Sequence, residues 1–183
     1  MNIYQIQIAL KSSEPLIWRR LLIPSNLVLP DLHLMIQVSM GWENDHLYQF
    51  IKGKNFYSPE DGTEDLEYED IKIAYLLKKE KEKIVYEYDF GDSWEHDVIL
   101  EKILPDDKKL KSSVCLDGEM ACPPEDCGGI WGYSDMLEIL KHPDHEDYEN
   151  IMEWLGGEFD PEYFDKESLN KFLKRFKISR LEN

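Results

Sequence analysis

Apolar and polar positions alternate from Ile3 to Leu10, with Gln5, Gln7 and Ala9 falling between Tyr4, Ile6, Ile8 and Leu10. A period of two predicts a strand with one face toward a core. The polar run 11–15 ends in Pro15 and reads as a turn, so residues 16–23 return as a second strand and close a hairpin. Within that strand Ile17, Arg19 and Leu21 alternate with Leu16, Trp18, Arg20 and Leu22, and neither set is clean, which predicts burial on both faces. Pro30 and Asp31 then open a helix, because proline suits the first turn and a carboxylate complements the positive end of the dipole. Leu32, Met35, Ile36 and Ser39 share one face of it, and Gly41 supplies a terminator. Strand patterns resume over 46–52 and 55–58, a short ambiguous stretch at 71–77 allows one or two helical turns, and 83–90 and 94–104 alternate well. The last two are joined through Gly91, Asp92 and Ser93, a connection short enough for a hairpin.

The pattern changes after Pro105. Residues 106–113 are a polar linker, and 114–131 are rich in Cys, Pro and Gly and read as an irregular loop. Three helical stretches follow: 133–140 with Ser134 as its cap, 146–155 closed by Gly156 and Gly157, and 165–176 with Leu169, Phe172, Leu173 and Phe176 on one stripe. The order predicts an α+β fold with a mixed sheet, a β-grasp-like β-β-α-β-β core and a C-terminal helical lobe. Residues 1–105 form the β-rich core. Residues 106–183 form an acidic Cys/Pro/Gly loop and helical lobe packed on it, one domain overall.

Charge sharpens this picture. The 183 residues carry a formal charge of −17, and 42% are hydrophobic, enough for a packed core. Between Ser112 and Tyr163 there are 14 acidic residues and one basic residue, Lys141. Residues 58–70 add seven carboxylates without a base, and the remainder of the chain is close to balanced. Such an acidic surface disfavours sequence-independent binding to nucleic acid. The acid serves either as a solvated surface or as a docking face for a basic partner or a cation. No apolar run reaches the length of a membrane span, and the N-terminus lacks the basic start and apolar stretch of a signal peptide, so a cytoplasmic location is expected.

The stretch from Asp89 to His96 holds the most suggestive chemistry. Asp89 and Asp92 flank a tight turn and His96 follows, with His33 and His46 as further candidates. Carboxylates with imidazoles suit a divalent metal or acid–base work. The same residues equally make a structural turn in which Asp89 caps amides, Gly91 supplies positive φ and Trp94 packs. Cys115, Cys122 and Cys127, with His142 or His145 as a fourth ligand, are candidates for zinc, although no C-x-x-C pair is present. Free thiols are the competing reading. Pro123 and Pro124 stiffen a loop that can hold Glu125 and Asp126 at a site, and Trp42 and Trp94 are candidates to line a groove. Arg19 and Arg20 suit an anion, or solvent and an acidic partner.

Several phrases are more specific than composition. They are Pro15-Leu16-Ile17-Trp18-Arg19-Arg20, Met40-Gly41-Trp42-Glu43-Asn44, Tyr88-Asp89-Phe90-Gly91-Asp92-Ser93-Trp94-Glu95-His96, Cys122-Pro123-Pro124-Glu125-Asp126-Cys127-Gly128-Gly129 and Trp154-Leu155-Gly156-Gly157. In this order the chain resembles the plasmid pRiA ORF-three-like family over nearly its whole length. Its members carry the label of insertion-element passengers of TnpR type, and the resemblance implies a link to mobile elements but no chemistry; no recombinase pattern is visible. The leading expectation is therefore a cytosolic binding or adaptor domain that contacts a protein partner. The competing expectation is a metal-dependent hydrolase or nuclease using Asp89, Asp92 and His96 with His33 or His46.

Overall fold

A computed structural model describes residues 1–59 and 67–177. Most of the acidic stretch 58–70, and the last six residues of the predicted lobe, lie outside the described residues. The fold is α+β, with all named strands in one open sheet. The strands are β1 (Asn2–Leu10), β2 (Trp18–Pro24), β3 (Tyr48–Lys52), β4 (Asn55–Tyr57), β5 (Lys83–Tyr88), β6 (Trp94–Pro105) and β7 (Val114–Glu119). The helices are α1 (Leu29–Met40), α2 (Ile73–Leu76), α3 (Gly129–Leu140), α4 (Tyr148–Leu155) and α5 (Lys166–Leu173), with a 3-10 turn at Tyr68–Asp70.

The strand order is β4-β3-β5-β6-β1-β2-β7. Both predicted hairpins form, β1 with β2 and β5 with β6. Each neighbouring pair is antiparallel. The sheet is thus antiparallel and not mixed, and the β-grasp-like expectation is not confirmed: β1 takes β6 as its second neighbour and runs against it. Tight turns reverse direction within β1–β2, β3–β4 and β5–β6, and the remaining neighbours β3–β5, β6–β1 and β2–β7 pair across long sequence separations. The segment after Pro105 also adds a strand to the sheet. Residues 114–119, expected as irregular loop, form edge strand β7 beside β2. The segment hides this because Cys115 is its one buried position and a bulge at the exposed Leu116 breaks the period of two.

One face of the sheet carries the core. Tyr4, Ile6 and Ile8 of β1 stand opposite Ile23, Leu21 and Arg19 of β2, and all are buried. The other face of β2, Trp18, Arg20 and Leu22, is half-buried, so the strand is buried on one side and not two. That outer face is polar: Arg20 grips Glu101 through two hydrogen bonds of 2.6 and 2.8 Å, and Gln5 donates to the same carboxylate at 2.7 Å. Helix α1 lays the predicted residues Leu32, Met35, Ile36 and Ser39 into the core and ends at Gly41, whose φ of +80° lets its amide reach the Gln37 carbonyl. No helix among the described residues is long and apolar enough to cross a membrane.

Arg19 is the exception on the buried face, at 3% exposure. Its Nε donates to the Ser39 carbonyl at 3.1 Å, Nη1 to the carbonyls of Trp18 and Glu119 at 2.7 Å, and Nη2 to Met120 O at 2.8 Å and Cys122 Sγ at 3.3 Å. The guanidinium also lies 4.1 Å from the centre of the Phe164 ring. Gly118 makes room for it, since a Cβ there would stand 2.9 Å from Arg19 Cδ and 2.8 Å from the Trp18 carbonyl oxygen. Five donors meeting four carbonyls and a sulfur tie α1, β2, β7 and the following loop together. Replacing Arg19 with Met keeps the stem but strands the carbonyls, and should lower unfolding free energy by about 3 kcal/mol or more in urea titration. Arg20→Met, on the wet face, should cost about 1 kcal/mol or less.

Candidate functional site

Three loops from distant parts of the chain meet beyond the end of β5. One follows α1 and holds Trp42 to His46, the second is the β5–β6 turn beginning at Asp89, and the third is the loop 123–127. Tyr88 joins the first and third. Its hydroxyl accepts from the backbone amides of Asp45 and His46 at 3.0 and 3.3 Å and donates to Glu125 Oε1 at 2.5 Å. Glu125 Oε2 in turn accepts from the Glu43 amide at 2.7 Å. Burial, and then the hydrogen bond to Glu125, pushes the Tyr88 hydroxyl well above the usual phenol range, so it stays a donor. Trp42 stacks on Tyr88 with ring centres 5.1 Å apart and donates from Nε1 to the Pro123 carbonyl at 2.9 Å.

This frame sets His46 between two carboxylates. Its Nε2 lies 3.2 Å from Asp126 Oδ1, and its Nδ1 lies 3.8 Å from Asp89 Oδ2. One ligand atom from each of His46, Asp89 and Asp126 can be chosen so that all lie within 4.8 Å of one another, and among the described residues no other group of three His, Cys, Asp or Glu does so. Asn44, Asp89 and Asp126 all hold positive φ, at 68°, 56° and 59°. Asn and Asp tolerate that region better than other side-chain-bearing residues, and here it turns each loop sharply enough to bring its neighbours inward. Asp89 stabilises its own turn by accepting from the Gly91 amide at 2.9 Å through Oδ1. A cleft of about 370 Å³ opens beside the cluster, lined by Trp42, Glu43, Asp45, His46, Glu125 and Asp126 among others.

Of the five residues expected to act together, His46 and Asp89 are brought together and Asp92, His96 and His33 are not. Asp92 accepts from the Gly128 amide at 3.1 Å and anchors the start of α3. His33 and His96 lie in the core, at 3% and 0% exposure. His33 stacks flat on Tyr48 at 3.4 Å between ring centres. Its Nε2 faces the acceptor Asn44 Oδ1 at 2.6 Å and therefore donates, and its Nδ1, 2.8 Å from the Tyr86 hydroxyl, accepts. His96 donates from Nδ1 to the Trp94 carbonyl at 3.1 Å, and its Nε2 has no hydrogen-bond partner among the described residues. Both sit neutral, and burial pulls each down to about 4.

Trp42 and Trp94 are largely buried, yet each contributes to the lining of a cleft, and the most exposed indole is Trp131 at 81%. Glu125 works inside the loop network, and Asp126 faces solvent beside His46. The cysteines do not assemble into a zinc site. Cys115 donates to the Asp117 carbonyl at 3.3 Å, Cys122 contacts Arg19 and Met40 Sδ, and Cys127 sits before the first turn of α3. Burial raises all three thiols, Cys122 to about 11 and Cys127 to about 12, so they are protonated near neutrality. His142 pairs with Glu138 and His145 with Asp147. The hub of the site, Tyr88, carries one sequence signal, its place directly before Asp89 at the end of a strand.

The buried imidazoles make stability depend on pH. Above the ordinary imidazole value of about 6.5 both rings are neutral whether the chain is folded or not, and pH has no leverage through them. Below it the unfolded chain takes up protons that the folded protein refuses until about pH 4. Unfolding free energy should therefore fall from pH 6.5 toward pH 4, by about 2 kcal/mol per histidine at pH 5. Urea titrations at pH 7 and pH 5 measure the drop, and His33→Gln and His96→Gln should each reduce its size.

The comparisons agree with this fold and name no chemistry. The family model described as plasmid pRiA4b ORF-3-like protein matches residues 2–168. The chain is 32% identical over 175 residues to uncharacterized protein y4hQ of Sinorhizobium fredii (strain NBRC 101917 / NGR234), covering 93% of this chain and 90% of that one. It is also similar to the crystal structure of the protein of unknown function MM3350 from Methanosarcina mazei Go1. There the TM-score is 0.81 and the identity 40%, over 91% of this chain and 95% of the other. With a match that runs nearly end to end and a sheet and loops built from the quoted phrases, this chain belongs to the plasmid pRiA4b ORF-3-like protein family.

Proposed function

We propose that this protein is a cytoplasmic binding module that engages a protein partner through the surface around the β5–β6 turn. The observation that carries this reading is the exposure of three large apolar side chains there: Trp131 at 81%, Leu47 at 67% and Phe90 at 50%. Leu47 and Phe90 are neighbours in space, because the Asp89 amide donates to the Leu47 carbonyl at 2.9 Å. Trp131 flanks the other side of the same turn, where it lines a second cleft with Gly91, Asp92 and Ser93. Exposed anchors of this size cost hydration free energy, and a tryptophan surrounded by polar groups is a common centre of binding energy. The adjoining cleft carries Glu43, Asp45, Glu125 and Asp126 and no Lys or Arg. That balance supports a partner bearing a basic segment with apolar residues, and supports a phosphate-bearing nucleic acid less. The mobile-element connection implied by the family resemblance belongs to the same proposal.

The hydrolase or nuclease reading keeps His46 and Asp89 of its five residues and gains Asp126. It would need its substrate to enter a cleft rimmed by carboxylates.

Fluorescence anisotropy with synthetic peptides tests the binding reading. Peptides combining Lys or Arg with Leu or Trp should bind, while an acidic counterpart and a single-stranded oligonucleotide should not. Trp131→Ser should weaken binding at least tenfold and leave the unfolding midpoint unchanged, because the side chain makes little contact with the core. Absence of binding by every basic peptide, or affinity indifferent to Trp131→Ser and Leu47→Ser, would overturn it.

A further inference from the structure

We propose that His46, Asp89 and Asp126 form a binding site for one divalent first-row transition ion of the zinc type, with solvent completing its coordination on the cleft side. Such a site depends on its donor set and geometry and not on any protein partner. One imidazole nitrogen and two carboxylate oxygens arrive from three segments more than 35 residues apart in sequence. Donors about 2.0–2.1 Å from one metal stand about 2.8–3.4 Å from each other, from the edge of an octahedron to that of a tetrahedron. The 3.2 Å between His46 Nε2 and Asp126 Oδ1 falls in that range, and with one donor atom taken from each residue the three lie within 4.8 Å of one another, so the Asp89 carboxylate has to close by an ångström or more to share the ion.

The chemistry of Asp89 points the same way. Its side chain is only 13% exposed, and Oδ1 already accepts from the Gly91 amide. Oδ2 has no hydrogen-bond donor among the described residues and faces the His46 ring. A poorly hydrated carboxylate oxygen requires a positive neighbour. Either the imidazole is protonated and pairs with both aspartates, or it stays neutral, binds a cation through one ring nitrogen, and the two carboxylates close on that ion. Asp126, 70% exposed on its side chain, opens the cation alternative to solvent and to the cleft. Three protein ligands leave positions for water, the arrangement of an accessible zinc site. An imidazole among the donors favours zinc or cobalt over magnesium and calcium, which prefer an all-oxygen shell. The surrounding frame is suited to hold the ligands still. Tyr88 fixes the His46 amide and, through Glu125, the residue beside Asp126, so the loops bearing two ligands are tied by one hydroxyl.

The full chain, stripped with chelator, is titrated with Co²⁺ and Zn²⁺ in a calorimeter and followed by visible absorption. One equivalent should bind, and thermal unfolding should move upward with the ion present. Asp126→Asn should weaken affinity at least tenfold, and His46→Gln should remove measurable binding. The exposed Asp126 can lose its charge without risk to folding, so its variant remains informative if His46→Gln or Asp89→Asn is unstable. The inference is overturned if neither ion binds stoichiometrically, or if the Asp126→Asn protein binds as tightly as the unaltered one. A thiolate charge-transfer band in the cobalt spectrum would also overturn it by placing the ion on the cysteines. An NMR titration in which His46 follows pH identically with and without Zn²⁺ would assign the cluster to an imidazolium held by two aspartates and sink the metal.

Discussion

A single buried guanidinium organises the half of the molecule in which the C-terminal residues meet the sheet. Arg19 stands where an aliphatic side chain would continue the core face of β2, and its charge is dispersed over carbonyls from α1, β2 and β7. Burying a cation without hydrogen-bond partners would be prohibitive, so β7 and the loop after it must come to the guanidinium for the fold to be stable. That requirement explains an unpromising edge strand. Val114–Glu119 has little apolar content, but its end supplies the Glu119 carbonyl and Gly118 leaves the space the arginine stem needs. Asn170 then clasps the Cys115 backbone from both sides, donating to its carbonyl at 3.0 Å and accepting from its amide at 2.7 Å, which docks α5 on β7.

With β7 in place, the chain leaving it passes Cys122, held against Arg19 and Met40, and reaches the loop 123–127 already close to the end of α1. Trp42 captures that loop at Pro123 and Tyr88 captures it at Glu125. Arg19 and Tyr88 are thus successive anchors along one path. The first brings the C-terminal segment to the sheet. The second sets Asp126 beside His46 and Asp89, at a site where three loops converge and the core aromatic residues stop.

Much of the fold was legible because it rests on local pattern. The alternation in β1, β5 and β6, the Leu32-Met35-Ile36-Ser39 face of α1 and the Gly41 terminator each follow from side-chain period and backbone preference within a dozen residues. The two faces of β2 look alike in sequence because each carries an arginine; that Arg19 is the buried one depends on carbonyls a hundred residues later. Strand β7 was missed for the same reason, since its partner decides it. The candidate site was legible only in part. His46, Asp89, Glu125 and Asp126 were visible as residue types that suit binding, but the hairpin that made Asp89, Asp92 and His96 look like one cluster in fact sends them in three directions: to His46, to the Gly128 amide and into the core.

The charge shows the same division. The sequence alone determined that the chain is acidic, that it can bury an α+β core, that its hairpins and first helix lie where the period places them, and that it resembles one family from end to end. These depend on composition and on interactions between near neighbours. Tertiary structure decided which carboxylates meet a histidine, which imidazoles are buried and neutral, and which tryptophans are exposed. Each of those outcomes is set by contacts across long sequence separations, where a side chain's environment is supplied by segments that its own neighbourhood does not specify.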